Sequence, residues 1–400
     1  MKFLICSLFA PYDAAPHGGG QTHNYYLKRL VQEKEIETHL LTFSSMQEYP
    51  KLDLDKYHIS NSVIILDKDL PCLKKIHRKF LVLLYSCIIW LGYSGFIYGY
   101  CKYALKRELL ALKKNGYAPD IIELNWTQVL FLFPMVRRIF PHAKYCAVEQ
   151  DVSFLRFERE YNNARGFSKL HQKLLYHMVK KKELALLSKM DIIFTFSGKD
   201  KLILDKQNIS NVDVIAPFFK KIICTPTLQN KKTILFFGAM ARPENYLSAI
   251  WFIENVFNKY LSDAFDFVVL GSSPHEKILE YRSEKITITG YQEDIKPWFE
   301  KALCLVAPLQ LGAGIKIKIL EALSSGIPVL CSDIASEGID IRDNVEYFRC
   351  ISPENYVNKI QFLYANPDMA ASIGGNAKEF IDKNYNLDRS FNHYLERIVP

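Results

Sequence analysis

Short apolar runs alternate with longer segments of helical period along this chain, and they fall into two series. In the first, the runs at 3–10, 38–43, 63–66, 120–123, 144–148 and 191–196 predict strands, and 212–219 closes the series. In the second, 233–237, 267–271, 286–289, 303–307 and 329–331 predict strands. Between runs the period lengthens. Tyr25, Tyr26, Leu27, Leu30 and Val31 mark one helical face after Gly18-Gly19-Gly20, while 154–182, 356–364, 370–380 and 385–398 predict further helices. Strands alternating with helices predict α/β sheets of Rossmann-like type. The two series divide the chain into 1–219, a linker at 220–232, a second domain at 233–382 and a terminal helix at 383–400.

The densest chemistry lies between positions 309 and 333. Gly312-Ala313-Gly314 predicts a loop; Lys316, Lys318 and Glu321 follow on an apolar helical run; Gly326-Ile327-Pro328 stops it before the strand 329–331. A Gly-rich loop entering a helix presents unpaired backbone N–H groups and the positive end of the helix dipole, which suits a phosphate. Two lysines in the first helical turn oppose that dipole, so their placement favours an anion between them.

From Pro308 to Val329 the chain resembles the donor-binding signature of family-4 retaining glycosyltransferases, P-L-x-x-G-x-G-x-K/R-x-K-x-L-E-A-x-x-x-G-x-P-V. The resemblance implies a GT-B fold, two Rossmann-like domains facing across a cleft. It also implies a nucleotide-sugar co-substrate and no metal or other cofactor. In that family the lysine or arginine, here Lys316, contacts the donor diphosphate, and the residue matching Glu321 holds the ribose hydroxyls; Lys318, in the same signature, is a further donor-binding candidate ranked below Lys316. Gly312, Ala313, Gly314 and Ile315 fall in the same donor loop. One departure is Ala313, where better known members carry a Glu that contacts the transferred sugar.

Other steps extend the resemblance. Gly19 and Gly20 lie where the family has a double glycine against donor phosphate and acceptor, although no dinucleotide G-x-G-x-x-G is present. Gln150-Asp151 stands where His-Asp is common. Gln150 donates and accepts hydrogen bonds but does not titrate near neutrality, so only positioning is open to it. Gly238 through Asn245 resembles the phosphate step G-S-M-x-x-x-P-N. Arg242 reads either as a bidentate diphosphate partner or as a rim residue paired with Glu244. Tyr291 lies in the loop that meets the nucleotide base in the family. Asp53-Leu54-Asp55 and Asp67-Lys68-Asp69 imitate a D-x-D metal motif and read as polar loops.

Charge changes the picture for the first half. Positions 1–200 hold 29 Lys and Arg against 19 Asp and Glu, whereas the remainder holds 22 against 24. The basic half predicts an anionic partner, a membrane surface or lipid phosphate rather than nucleic acid, since no aromatic-interleaved nucleic-acid motif appears. The 21 uncharged residues 81–101 have lysine- and arginine-rich flanks. They read as a buried or membrane-surface helix, because a span would put strands of one sheet on opposite sides of a bilayer. Nine cysteines without a C-x-x-C pair suit reduced thiols of a cytoplasmic protein.

Departure of a nucleoside diphosphate places growing negative charge on the phosphates, and preorganised cations there lower the barrier. Lys316, with Arg242 and Gln150 in support, is the expected catalytic set. The resemblance implies a retaining transfer to a carbohydrate or lipid-linked acceptor in polysaccharide or glycolipid synthesis. A sugar-nucleotide epimerase and a non-catalytic nucleotide-sugar scaffold are the competing readings.

Overall fold

The computed structural model describes residues 1–13, 15, 17–66, 99–224, 230–312 and 314–399. Most of the uncharged stretch 81–101, the Asp67-Lys68-Asp69 motif and Ala313 therefore lie outside the described residues. The chain forms two compact units, Met1–Phe218 with Asp388–Pro400, and Phe219–Leu387.

The first unit carries β1 (Lys2–Ser7), β2 (Glu37–Ser44), β3 (Ser60–Ile65), β4 (Ile121–Asn125), β5 (Lys144–Glu149), β6 (Ile192–Thr195) and β7 (Val212–Val214). They form one sheet in the order β3-β2-β1-β4-β5-β6-β7 with every pairing parallel. The second unit carries β8 (Thr233–Phe237), β9 (Asp266–Leu270), β10 (Ile286–Ile288), β11 (Ala302–Ala307), β12 (Val329–Cys331) and β13 (Phe348–Arg349). Its order is β10-β9-β8-β11-β12-β13, again all parallel. Strands covered on both faces require continuous apolar runs rather than alternation. Ile234, Leu235 and Phe236, like Leu303, Cys304, Leu305 and Val306, are buried without exception. The two-residue strand β13 is too short to have been legible as a run.

Ten described helices have eight residues or more. They are α1 (Gly18–Val31), α2 (Gly99–Lys114), α3 (Ser153–Asn163), α4 (Gly166–Leu187), α5 (Gly198–Asp205), α6 (Pro243–Phe252), α7 (Ile317–Ser324), α8 (Pro353–Ala365), α9 (Pro367–Asn384) and α10 (Leu387–Ile398). In each sheet the strand order reverses once, between β1 and β4 and between β8 and β11. Ligands of open α/β sheets bind outside the carboxyl ends of the strands at such reversals.

The terminal helix α10 packs within the first unit. Tyr394 donates to Glu123 Oε2 at 2.6 Å, and Arg397 donates to Asp213 at 2.6 Å. The segment after β7 packs within the second unit. Ile222 N donates to Ser324 Oγ at 2.9 Å, and Phe219, Ile222 and Cys224 are buried.

Two glycines set the backbone at the second reversal. Gly238 and Gly271 follow β8 and β9 with φ of 152° and 153°, and a Cβ on Gly271 would sit 1.7 Å from the Gly238 carbonyl oxygen. Gly271→Ala should therefore destabilise the protein by ~1–3 kcal/mol through overpacking and strain, read as a lower denaturant midpoint at unchanged slope.

Among the described residues the first unit buries four carboxyl groups, Glu123, Glu149, Glu183 and Asp200. Glu183 accepts the first amides of α3, from Ser153 at 2.9 Å and Phe154 at 3.0 Å, and so caps that helix. Burial raises the pKa of Glu149, with the charges of Asp151 and Asp200 adding and a hydrogen bond from Thr127 opposing. A raised acid contributes stability that is full below its unfolded value and is lost as pH climbs through the folded one. Glu149→Gln keeps an acceptor for Thr127 without the charge. Its melting temperature should exceed wild type at about pH 8 and nearly equal it at about pH 5; equal differences at both values would refute the buried-charge account.

Candidate active site

In the second unit the loops after β8 and β11 meet at the strand-order reversal. The β8 loop leads through Gly238 to Arg242, the N-cap of α6, and Asn245 in that helix's first turn. The β11 loop carries Gly312 and Gly314 at φ of 125° and 66°, conformations that favour glycine. Lys316 is not in the first turn of α7. It is the N-cap, in extended conformation at φ −93° and ψ 99°, and the helix starts at Ile317. The apolar run begins directly after the glycines, but the helix starts only at Ile317.

The extended backbone turns the Lys316 side chain across the loop. Its Nζ donates to the Gly314 carbonyl at 2.5 Å and lies 3.8 Å from Glu337 Oε2. A Cβ on Gly312 would come within 3.0 Å of Lys316 Cε. Lys318 lies in the first turn of α7. Its Nζ donates to Asn245 Oδ1 at 2.7 Å and stands 4.8 Å from the Phe236 ring centroid. Burial lowers Lys318 to about 7; Glu244 opposes the shift, while Lys316 and Arg242 add to it. Lys318 thus lies within electrostatic reach of both Lys316 and Arg242. Arg242 also pairs with Glu244, the rim arrangement weighed from the sequence, with its side chain largely exposed.

Glu321 lies three residues after Lys318, on the same side of α7. Burial raises it to about 7, and the backbone N–H of Lys220 hydrogen-bonds it and opposes the shift. Ile315 is half-buried beside the lysines. Tyr291 is apart from this group in the sheet, after the edge strand β10, and is 75% exposed.

The first unit's reversal gathers a second set of residues. Gly18-Gly19-Gly20 is the first turn of α1 rather than a loop before it, with His17 as N-cap accepting from Gly20 N at 2.9 Å. The side-chain cap is what allows three glycines to begin a helix. A Cβ on Gly19 would lie 2.9 Å from Gln150 Oε1, and one on Gly20 would lie 2.8 Å from His17 Cε1. Gln150 donates to Asn125 Oδ1 at 2.9 Å; Asn125 donates to Glu123 Oε1 at 3.0 Å. A polar chain from α10 through Glu123 and Asn125 therefore fixes the Gln150 amide against α1. Trp126, just beyond β4, has a positive φ of 74°, and its ring meets Phe9 and His23 edge-on at 5.3 and 5.5 Å. Such backbone strain in a bulky residue marks a place the surrounding packing over-determines.

Sequence reasoning did not assign site roles to Asn245, Glu337 or Trp126. Asn245 was legible as a polar residue at a helix start. Nothing in the sequence pairs Glu337 with Lys316, twenty-one positions earlier. Of the D-x-D motifs, Asp53 accepts from Lys28 at 3.0 Å, which ties the loop to α1.

Two parallel sheets of seven and six strands, each with its own reversal, define the GT-B fold of glycosyltransferases. Solved structures agree in fold. HepE of Anabaena, crystallised with UDP, superposes with a TM-score of 0.67 at 12% identity, over 99% of both chains. TarM of S. aureus gives 0.65 at 14% identity, over 100% of this chain and 99% of its own. In sequence, the uncharacterized glycosyltransferase MJ1069 of Methanocaldococcus jannaschii is 24% identical over 301 residues, 67% of this chain and 71% of that protein. Residues 231–366 match the family of glycosyl transferases group 1. The chain has the GT-B fold, and the match to the group 1 glycosyltransferases lies within its second unit.

Proposed function

We propose that this protein is a retaining glycosyltransferase that moves a sugar from a nucleotide-sugar donor to an acceptor hydroxyl, in cell-envelope polysaccharide or glycolipid synthesis at the cytoplasmic side of a membrane. The observation that carries this reading is the placement of Lys316, Lys318 and Arg242 where the loops after β8 and β11 meet at the second unit's reversal, with Lys316 on the glycine loop and Lys318 on Asn245. The diphosphate of the donor seats against those cations and the N-terminal amides of α7. As the anomeric bond breaks, its electron pair goes to the diphosphate oxygen, and the lysines stabilise that charge. The same cations do the work a divalent metal does elsewhere, so the transfer proceeds without one. The acceptor hydroxyl attacks from the face the diphosphate leaves, which retains configuration, and its proton passes to the departing phosphate. Gln150, held by Asn125, orients substrate without taking a proton.

UDP is the nucleotide in the crystallised HepE complex and is the first probe here. The test is a panel of nucleotide sugars assayed with and without EDTA, following nucleoside diphosphate release and product anomer by NMR. Inversion, or epimer formation without release, would overturn the reading.

A further inference from the structure

Helix α4 buries Leu175, Val179 and Glu183 and turns an unusual face outward. Leu170 and Leu174, one turn apart, are 68% and 52% exposed. Lys169, Lys173 and Lys181 are exposed around them, and the one carboxylate of the helix, Glu183, points inward. Helix α2 repeats the arrangement. Tyr103 and Leu110 are 65% and 46% exposed beside exposed Lys106, and its one carboxylate, Glu108, pairs with Arg107 at 2.9 Å. The inner sides of the two helices share one apolar core, which holds Ala104, Leu105 and Leu109 of α2 with Leu175, Val179 and Leu186 of α4. The uncharged residues 81–98 lead directly into α2.

We propose that the outward faces of α2 and α4 form a docking surface for an anionic lipid bilayer. The lysines supply attraction to acidic headgroups, and the leucines and tyrosine enter the headgroup and acyl boundary. A nucleic acid also attracts lysines, but it offers nothing to a leucine pair spaced by one helical turn. Among the described residues no helix is long and apolar enough to cross a membrane. The surface is independent of the sugar chemistry and stands or falls apart from it.

The experiment is cosedimentation of the full chain with vesicles of phosphatidylcholine alone or mixed with phosphatidylglycerol, at low and high salt. Binding is expected to the mixed vesicles only, and to weaken with salt. Lys169→Gln with Lys173→Gln should lower the partition coefficient ~30-fold at about 1 kcal/mol per lysine. Leu170→Gln with Leu174→Gln should lower it at least ~10-fold. Because all four positions are exposed, melting temperature and UDP affinity should match wild type and certify folding. Equal binding to neutral vesicles, binding unaffected by both double variants, or retention on an anionic polymer without vesicle binding would each overturn the proposal.

Discussion

Lys316→Ala should depress the rate of sugar transfer by ~10²–10³-fold, equivalent to about 2.7–4 kcal/mol of lost transition-state stabilisation. The effect on donor affinity should be smaller. In the structure the Lys316 ammonium is engaged by the Gly314 carbonyl and lies near Glu337, so a donor diphosphate competes with those partners in the ground state. The competition tips as the bond breaks, because charge then grows on the diphosphate and not on the carbonyl. An interaction that strengthens only in the transition state shows in turnover rather than in binding. Removing the lysine relieves its charge at the positive end of the helix dipole but also loses the contacts to Gly314 and Glu337, so the stability of the free protein should change little. Steady-state kinetics on the variant, with UDP affinity measured in parallel, check the split. Near-normal turnover would leave Lys316 a loop-bracing residue.

Sequence pattern made the sheets legible because both are parallel and buried. The runs at 233–237 and 329–331 coincide with β8 and β12, since strands covered on both faces read as near-continuous apolar runs. The β11 loop was legible by its glycines and lysines. What pattern did not reveal was where the backbone changes conformation. An apolar run that begins directly after the glycines hides the start of α7 at Ile317, and three glycines look like a loop until His17 caps them as a helix. Long-range partners were equally hidden. The bond from Lys318 to Asn245 joins two βα units, and that from Tyr394 to Glu123 joins the last helix to β4, separations that no local period encodes.

Glu321→Ala should weaken UDP binding ~10- to 150-fold, the worth of about 1.5–3 kcal/mol for hydrogen bonds to a charged carboxylate. The structure adds a pH dependence to this. Glu321 sits at about 7 because burial disfavours its charge, and Lys318 sits at about 7 for the same reason with the opposite sign. Ribose hydroxyls donating to Glu321 favour its charged form, so binding releases a proton from it wherever it is protonated. Affinity through this group rises with pH and levels off above its value. Phosphate favours the charged form of Lys318, so binding there takes up a proton, and affinity through it falls as pH climbs past its value. The two limbs predict a bell-shaped affinity with its maximum near pH 7 and little net proton exchange at that maximum. Glu321→Gln should move the acid limb down to that of the ligand's own terminal phosphate, at ~6, and shift net exchange toward proton uptake at pH 7, where Lys318 is the main group left to titrate. Calorimetry in buffers of different ionisation enthalpy reads both quantities directly. A Glu321→Gln protein with the wild-type acid limb would show that another group titrates there, and would remove the ribose from Glu321.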